Sequence, residues 1–157
     1  MTKYATGTSV PAKVTKAEIE ALLEDRGATA IGTLSQGQHV AILFELNERR
    51  VKLTLALPAE SDFRFTPGRG IERSAAQRRA AYEAEVRRLW RALLLVLKAK
   101  FAAIDDGISS FDREFMPDIV LPNDQTVGQW LLPQVERAYQ SLTMPPFLLE
   151  ARNPDHE

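Results

Sequence analysis

A chain of 157 residues with 45% hydrophobic and 26% charged residues is long enough to bury a core as one domain, and its composition lies well outside the disordered range. The absence of cysteine excludes disulfides, thiolate nucleophiles and thiolate zinc sites together, and fits a reducing compartment. A formal net charge of −1 gives no overall pull toward nucleic acid, and the longest apolar run, Ala92–Leu97, is far too short to cross a bilayer.

The first residues, MTKYATGTSVPAK, contain no apolar run, so no secretory signal is expected. Thr15 and Glu18 have capping-box spacing and predict a helix from about Lys16 to Arg26, with Ile19, Leu22 and Leu23 on one face and Gly27 as a left-handed stop. Three strand-like runs follow, Ala28–Ser35, His39–Leu46 and Val51–Leu57. Val40, Ile42, Phe44 and Leu46 alternate, as do Val51, Leu53, Leu55 and Leu57, which is the pattern of a meander with one buried face. Gln36-Gly37 and Asn47-Glu48-Arg49-Arg50 supply the connections.

Residues 58–73 carry neither periodicity and include Pro67-Gly68-Arg69-Gly70, so they read as a long, flexible loop. Ser74 caps a helix running to about Asp106 and stopped by Gly107. On it Tyr82, Val86, Leu89, Leu93, Val96 and Ile104 share one face, which is expected to pack on the meander, with Leu89 and Leu93 almost fully buried. Arg87, Arg91 and Lys98 form a ridge opposite, interrupted by Leu94 and Leu95, while Lys100 falls on the apolar side, where a lysine needs a partner. A short helix capped by Ser109 runs through Phe115. Ile119–Leu121 and Thr126-Val127 then form a small hairpin, and Thr126 with Gln129 repeats the capping box before a last helix that Pro133 kinks or divides. Met144–Leu149 reads as an extended tail, and residues 150–157 as frayed. The fold expected is one α+β domain: an N-terminal helix, a three-stranded antiparallel meander, a long helix, and a small C-terminal hairpin-plus-helix subdomain.

Several stretches resemble a family of small proteins of uncharacterised activity encoded by tailed phages and prophages: Tyr4–Pro11, Glu18–Leu23, Lys98–Phe101, Phe111–Phe115 and Ile119–Gly128. The resemblance implies a phage or prophage origin and a place in the cytoplasm of a bacterial host. It brings no activity and no functional residues.

Chemistry-bearing patterns are few. His39 and His156 are the only histidines, no ligand pair has metal-site spacing, and neither a phosphate-cradling glycine loop nor a nucleophile elbow occurs. No catalytic residue, metal site or cofactor is therefore assigned, and enzymatic function finds little support. The acid-rich stretch Asp105, Asp106, Asp112, Glu114 and Asp118 has the residue types to hold magnesium, but solvated helix ends and turns are the simpler reading.

Charge is distributed unevenly. Residues 71–100 hold eight bases and three acids, a net of +5, whereas residues 101–157 hold three bases and ten acids, a net of −7. Mutual neutralisation of these two regions is the simplest expectation. The candidate binding region is the loop and the first turns after it, where Phe63, Arg64, Phe65, Arg69, Arg73, Arg78 and Arg79 interleave rings with guanidinium groups, as sequence-tolerant single-strand binders do. The competing reading docks both phenylalanines in the core and leaves the arginines to keep the loop solvated. Two functions follow: a nucleic-acid-binding accessory protein, or a protein-binding factor that engages a host or phage enzyme of replication or defence. The apolar girdle Ala92–Leu97 adds a homodimer, unless the C-terminal hairpin, Trp130 and Phe147 cover it.

Overall fold

The computed structural model describes residues 4–143, so the expected tail at Met144–Leu149, with Phe147, and His156 lie outside the described residues. In chain order it contains α1 (Ala12–Asp25), β1 (Thr29–Gln36), β2 (His39–Leu46), β3 (Arg49–Ala56), α2 (Ala75–Asp105), α3 (Phe111–Phe115) and α4 (Val127–Ser141). The α+β class holds: β1-β2-β3 form an antiparallel meander with helices before and after it. No helix of the described residues is long and apolar enough to cross a membrane.

The first hairpin turn is shifted by one residue from the Gln36-Gly37 expected, and the second is tighter than expected. Gln36 stands opposite His39, so the first turn is Gly37-Gln38, with Gly37 at φ +58°. Leu46 stands opposite Arg49, so Arg49 and Arg50 are strand residues and the second turn is Asn47-Glu48 alone, with φ of 51° and 60°. Positive φ at both central positions matches the right-handed twist of the flanking strands, and asparagine tolerates it well.

The start of α1 differs from the expected one. Pro11, with φ of −59°, occupies the N-cap, and the helix begins at Ala12. Thr15 is fully buried, because it lies one turn before Ile19 and two before Leu23 on the inward stripe. Its spacing to Glu18 imitates a capping box, but its position makes it a core residue. Gly27 does close the helix in the left-handed region, at φ +80°.

Helix α2 organises the interior. Ser74 and Gln77 cap it reciprocally, each side chain bonding to the other's backbone N–H. Its buried residues are Trp90, Leu94, Leu97 and Phe101, at i, i+4, i+7 and i+11. They join Ile19 and Leu23 of α1, Val40, Ile42 and Phe44 of β2, Val51 and Leu53 of β3, and Phe111 and Phe115 of α3 in one cluster. The expected inward face is therefore rotated. Leu93, Val86 and Ile104 pack partly buried at its margin, Leu89 is half-buried, and Val96 is 49% exposed. The run Leu93-Leu94-Leu95 permits either phase; the bulk of Trp90 and Phe101, which only the interior can accommodate, selects the observed one. Lys100 finds its partner, donating to the Glu114 carbonyl, with its ammonium 5.2 Å from the centre of the Phe115 ring.

The cap of α3 is Ser110 rather than Ser109. The expected small hairpin reduces to a bridge between Val120 and Thr126, and Val127 N–H donates to the Ile119 carbonyl. A 3-10 turn at Met116–Asp118 seats α4: a Cβ on Gly128 would lie 2.9 Å from the Pro117 carbonyl oxygen, so only glycine lets the helix approach so closely. Thr126 and Gln129 form the expected capping box, and α4 runs through Pro133 as one helix.

Two predictions follow from this packing. Leu94→Ala should cost roughly 2–5 kcal/mol in denaturant unfolding, whereas Val96→Ala should stay within about 0.5 kcal/mol. Equal losses would mean that the inward face of α2 is wrongly placed. The second concerns Asp118, whose carboxyl is pushed up by burial, with Lys100 opposing the shift. A folded-state value above the unfolded one means that ionisation favours the unfolded chain, so stability falls as pH rises through that window. Asp118→Asn should remove the fall, giving a higher thermal midpoint than the parent at neutral pH and convergence below the ordinary carboxylate range.

Candidate functional site

Residues 58–73 fold back on themselves. Glu60–Phe63 make a 3-10 turn whose entry is fixed by the Asp62 carboxylate accepting from Ala59 N–H at 2.9 Å. Phe65 and Glu72 then form an antiparallel bridge, closed at its tip by Thr66 N–H donating to the Ile71 carbonyl at 2.8 Å. Gly68 and Gly70 take the positive φ that this tip requires, +78° and +63°. The segment thus has a hydrogen-bonded framework despite lacking periodicity in sequence.

The two phenylalanines part company. Phe63 is half-buried and meets the Tyr82 ring of α2 edge-on, with centroids 6.3 Å apart. Phe65 is 49% exposed, with the Arg64 guanidinium 5.2 Å from its ring centre. One ring therefore anchors the loop on α2 while the other faces water.

Most of the arginines have intramolecular partners. Arg64 pairs with Glu72 at 2.9 Å, Arg78 with Glu60 at 3.3 Å, and Arg79 with Glu83 at 2.8 Å and with Glu60 at 3.2 Å. Hydrogen bonds from Arg79 and then Arg78 hold the Glu60 carboxyl below its usual range. Arg73 donates to the carbonyls of Phe63 and Phe65, at 3.1 and 2.6 Å, which makes it the clamp of the loop. Arg69, exposed at the tip, pairs with none of the described acids. Between Glu60 and Glu83 five arginines face four acids, a net of +1. The open depression between loop and helix, about 480 Å³, is lined by Glu60, Ser61, Arg64, Glu72 and Arg78 and so has no single sign of charge.

The basic ridge does not act as a unit either. Arg91 pairs with Glu18 of α1 at 2.7 Å, Arg87 is half-buried beside the segment leading into α1, and Lys98 is exposed. Among the described residues, neutralisation of the basic stretch by the acidic final third, the simplest sequence-based expectation, comes down to Lys100 with Glu114; Asp105, Asp112 and Asp124 pair instead with Arg26, Arg49 and Arg50. Distances along the chain conceal these pairs, since Arg26 and Asp105 are 79 residues apart. Among the described residues no three His, Cys, Asp or Glu side chains gather where they could hold a metal ion. His39 is exposed at the start of β2.

A different surface stands out, which no local motif announced. Along α4, Val127, Leu131, Leu132, Val135, Ala138 and Tyr139 fall within a single arc of about 140°, and Leu142 follows at the C-cap. Only Gly128 of this helix is buried; Leu132 is 64%, Tyr139 80% and Leu142 90% exposed. Attached through its first turn, α4 extends about 22 Å at 1.5 Å per residue. A strongly amphipathic helix with an apolar arc that no described residue covers is a recognised mark of an interaction surface.

Truncating the two loop rings separates their roles. Phe63→Ala should cost about 1–2 kcal/mol, less than the ~3–5 kcal/mol of a fully buried ring, and Phe65→Ala less than about 0.5 kcal/mol. Chemical denaturation of the two variants measures this, and equal costs would refute the assignment of Phe63 as anchor.

Compared with protein-family models, with curated proteins and with solved structures, the chain matches none.

Proposed function

We propose that this protein is a binding factor of phage or prophage origin that engages a partner protein through α4. The observation that carries this reading is the exposed apolar arc of Leu132, Val135 and Tyr139, continued by the exposed C-cap Leu142, on a helix whose one buried residue, Gly128, lies in its first turn. An apolar helix face of this kind is taken up by a hydrophobic groove, with anchors one helical turn apart. The polar side of α4 carries one acid and one base, Glu136 and Arg137, so attraction comes from apolar burial and depends little on salt. A partner enzyme of replication or defence, in a host or phage, fits this reading.

A second reading rests on Phe65 and Arg69. An exposed ring and an unpaired guanidinium at the tip of one loop can stack on a base and contact a phosphate. The acids Glu60, Glu72 and Glu83, which engage the neighbouring arginines, weaken that reading relative to the first.

Affinity capture on the tagged full chain from bacterial lysate tests the proposal. Partners should persist after nuclease treatment, disappear with Leu132→Lys combined with Tyr139→Lys, and remain with Arg69→Glu. Capture that ignores the α4 pair, or that vanishes with nuclease, would overturn it.

A further inference from the structure

The sheet has two edges, and they are treated differently. The β3 edge is covered at one end: Val51 bridges to Ile119, and Val120 N–H donates to the Arg50 carbonyl at 2.8 Å. The strand also carries Arg49, Arg50 and Lys52, the charges with which edge strands ordinarily discourage pairing. The β1 edge has no such protection. Its sequence, TAIGTLSQ, contains no charge and no proline, and among the described residues β1 pairs with β2 alone.

The register defines what this edge offers. Gln36 and His39 close a two-residue turn, so alternation of the ladder directs the backbone groups of Gln36, Leu34 and Gly32 toward β2 and those of Thr33 and Ser35 away from the sheet. At the other end a bulge between Thr29 and Gly32, with Ala30 at φ +52°, interrupts the strand. The regular stretch is Gly32–Gln36, and its midpoint is Leu34, 58% exposed on the face of the sheet away from the core.

We propose that a second copy of this chain docks on this edge, β1 against β1 in antiparallel register about a two-fold axis at Leu34, to form a continuous six-stranded sheet. Two-fold pairing sets each residue against its mirror position, so any charge near the centre would repel itself. β1 is uncharged throughout and satisfies that requirement. Thr33 of each copy pairs with Ser35 of the other, and together these pairs fill the outward backbone donors and acceptors. Leu34 meets its counterpart in the close, non-hydrogen-bonded spacing, extending the row already formed with Ala41 and Thr54. The contact is independent of α4 and differs from a dimer through the α2 girdle at Ala92–Leu97.

Sedimentation of the full chain at high micromolar concentration, with Leu34→Lys, Leu34→Glu and their equimolar mixture, tests the arrangement. The parent should sediment as a dimer, each charged variant as a monomer with unchanged far-ultraviolet circular dichroism, and the mixture as a dimer again, because opposite charges meet across the axis. Should the Leu34 variants not fold, the exposed Ser35→Lys and Ser35→Glu place the same charges beside Thr33 of the other copy, and their mixture should also restore the dimer. A strictly monomeric parent would overturn the proposal. So would a dimer indifferent to these charges, which would place the contact elsewhere, or a mixture that stays monomeric. Leu132→Lys with Tyr139→Lys should leave the dimer intact, so failure here is distinct from failure of the α4 reading.

Discussion

The core of the described residues is arranged around a single buried stripe on α2. Trp90, Leu94, Leu97 and Phe101 are at most 3% exposed and must be covered by elements from both sides of the sequence, α1 and the meander before and α3 after. That requirement fixes the rotation of the helix, and the rotation determines where its charges lie. Arg91 is brought to Glu18, Lys100 to the Glu114 carbonyl and the Phe115 ring, and Arg78 and Arg79 to Glu60 beneath the loop. The electrostatics of the region is thus a consequence of how its apolar side is packed. Exposed ion pairs of this kind contribute little stability. Their effect is to engage cations that the sequence presents as a basic patch.

The same constraint separates apolar surface that is used from apolar surface that is not. Once the stripe of α2 faces inward, Leu95 and Val96 face outward, and the sheet and α1 have their complement. α4 is left with a seat at Pro117 and Gly128 and an apolar arc that the described residues do not cover. Burying large side chains is worth roughly 1.5–3 kcal/mol each, so an uncovered row of them is a standing driving force for association.

Much of this architecture is legible in the sequence, and the rest is obscured for definite reasons. Alternation at Val40–Leu46 and Val51–Leu57 reveals the strands, and Ser74 with Gln77 and Thr126 with Gln129 mark two helix starts, because caps and pleats are local. The phase of α2 is ambiguous through three consecutive leucines, and only the aromatic residues eleven apart settle it. Thr15 imitates a cap while serving the core. Arg79 with Glu83 is a local pair, but other ion-pair partners are invisible because they are long-range: Glu60 lies 18 and 19 residues from the arginines it binds. The candidate loop is readable as a cluster of rings and arginines, but its neutralisation is not. The periodicity of α4 can be read as well, yet no local pattern tells whether another part of the fold covers its apolar arc.

The cations of the Phe63–Arg79 region serve the fold, and in the function proposed above recognition falls to the apolar arc of α4. The most direct measurement is titration of a labelled single-stranded oligonucleotide with the full chain at low and at physiological salt. With a local net charge of +1, saturable binding at physiological salt is not expected, and any low-salt association should have a shallow salt slope. Saturable binding at physiological salt, with an affinity that falls steeply with added salt and is lost in Phe65→Ala with Arg69→Glu, would contradict the account.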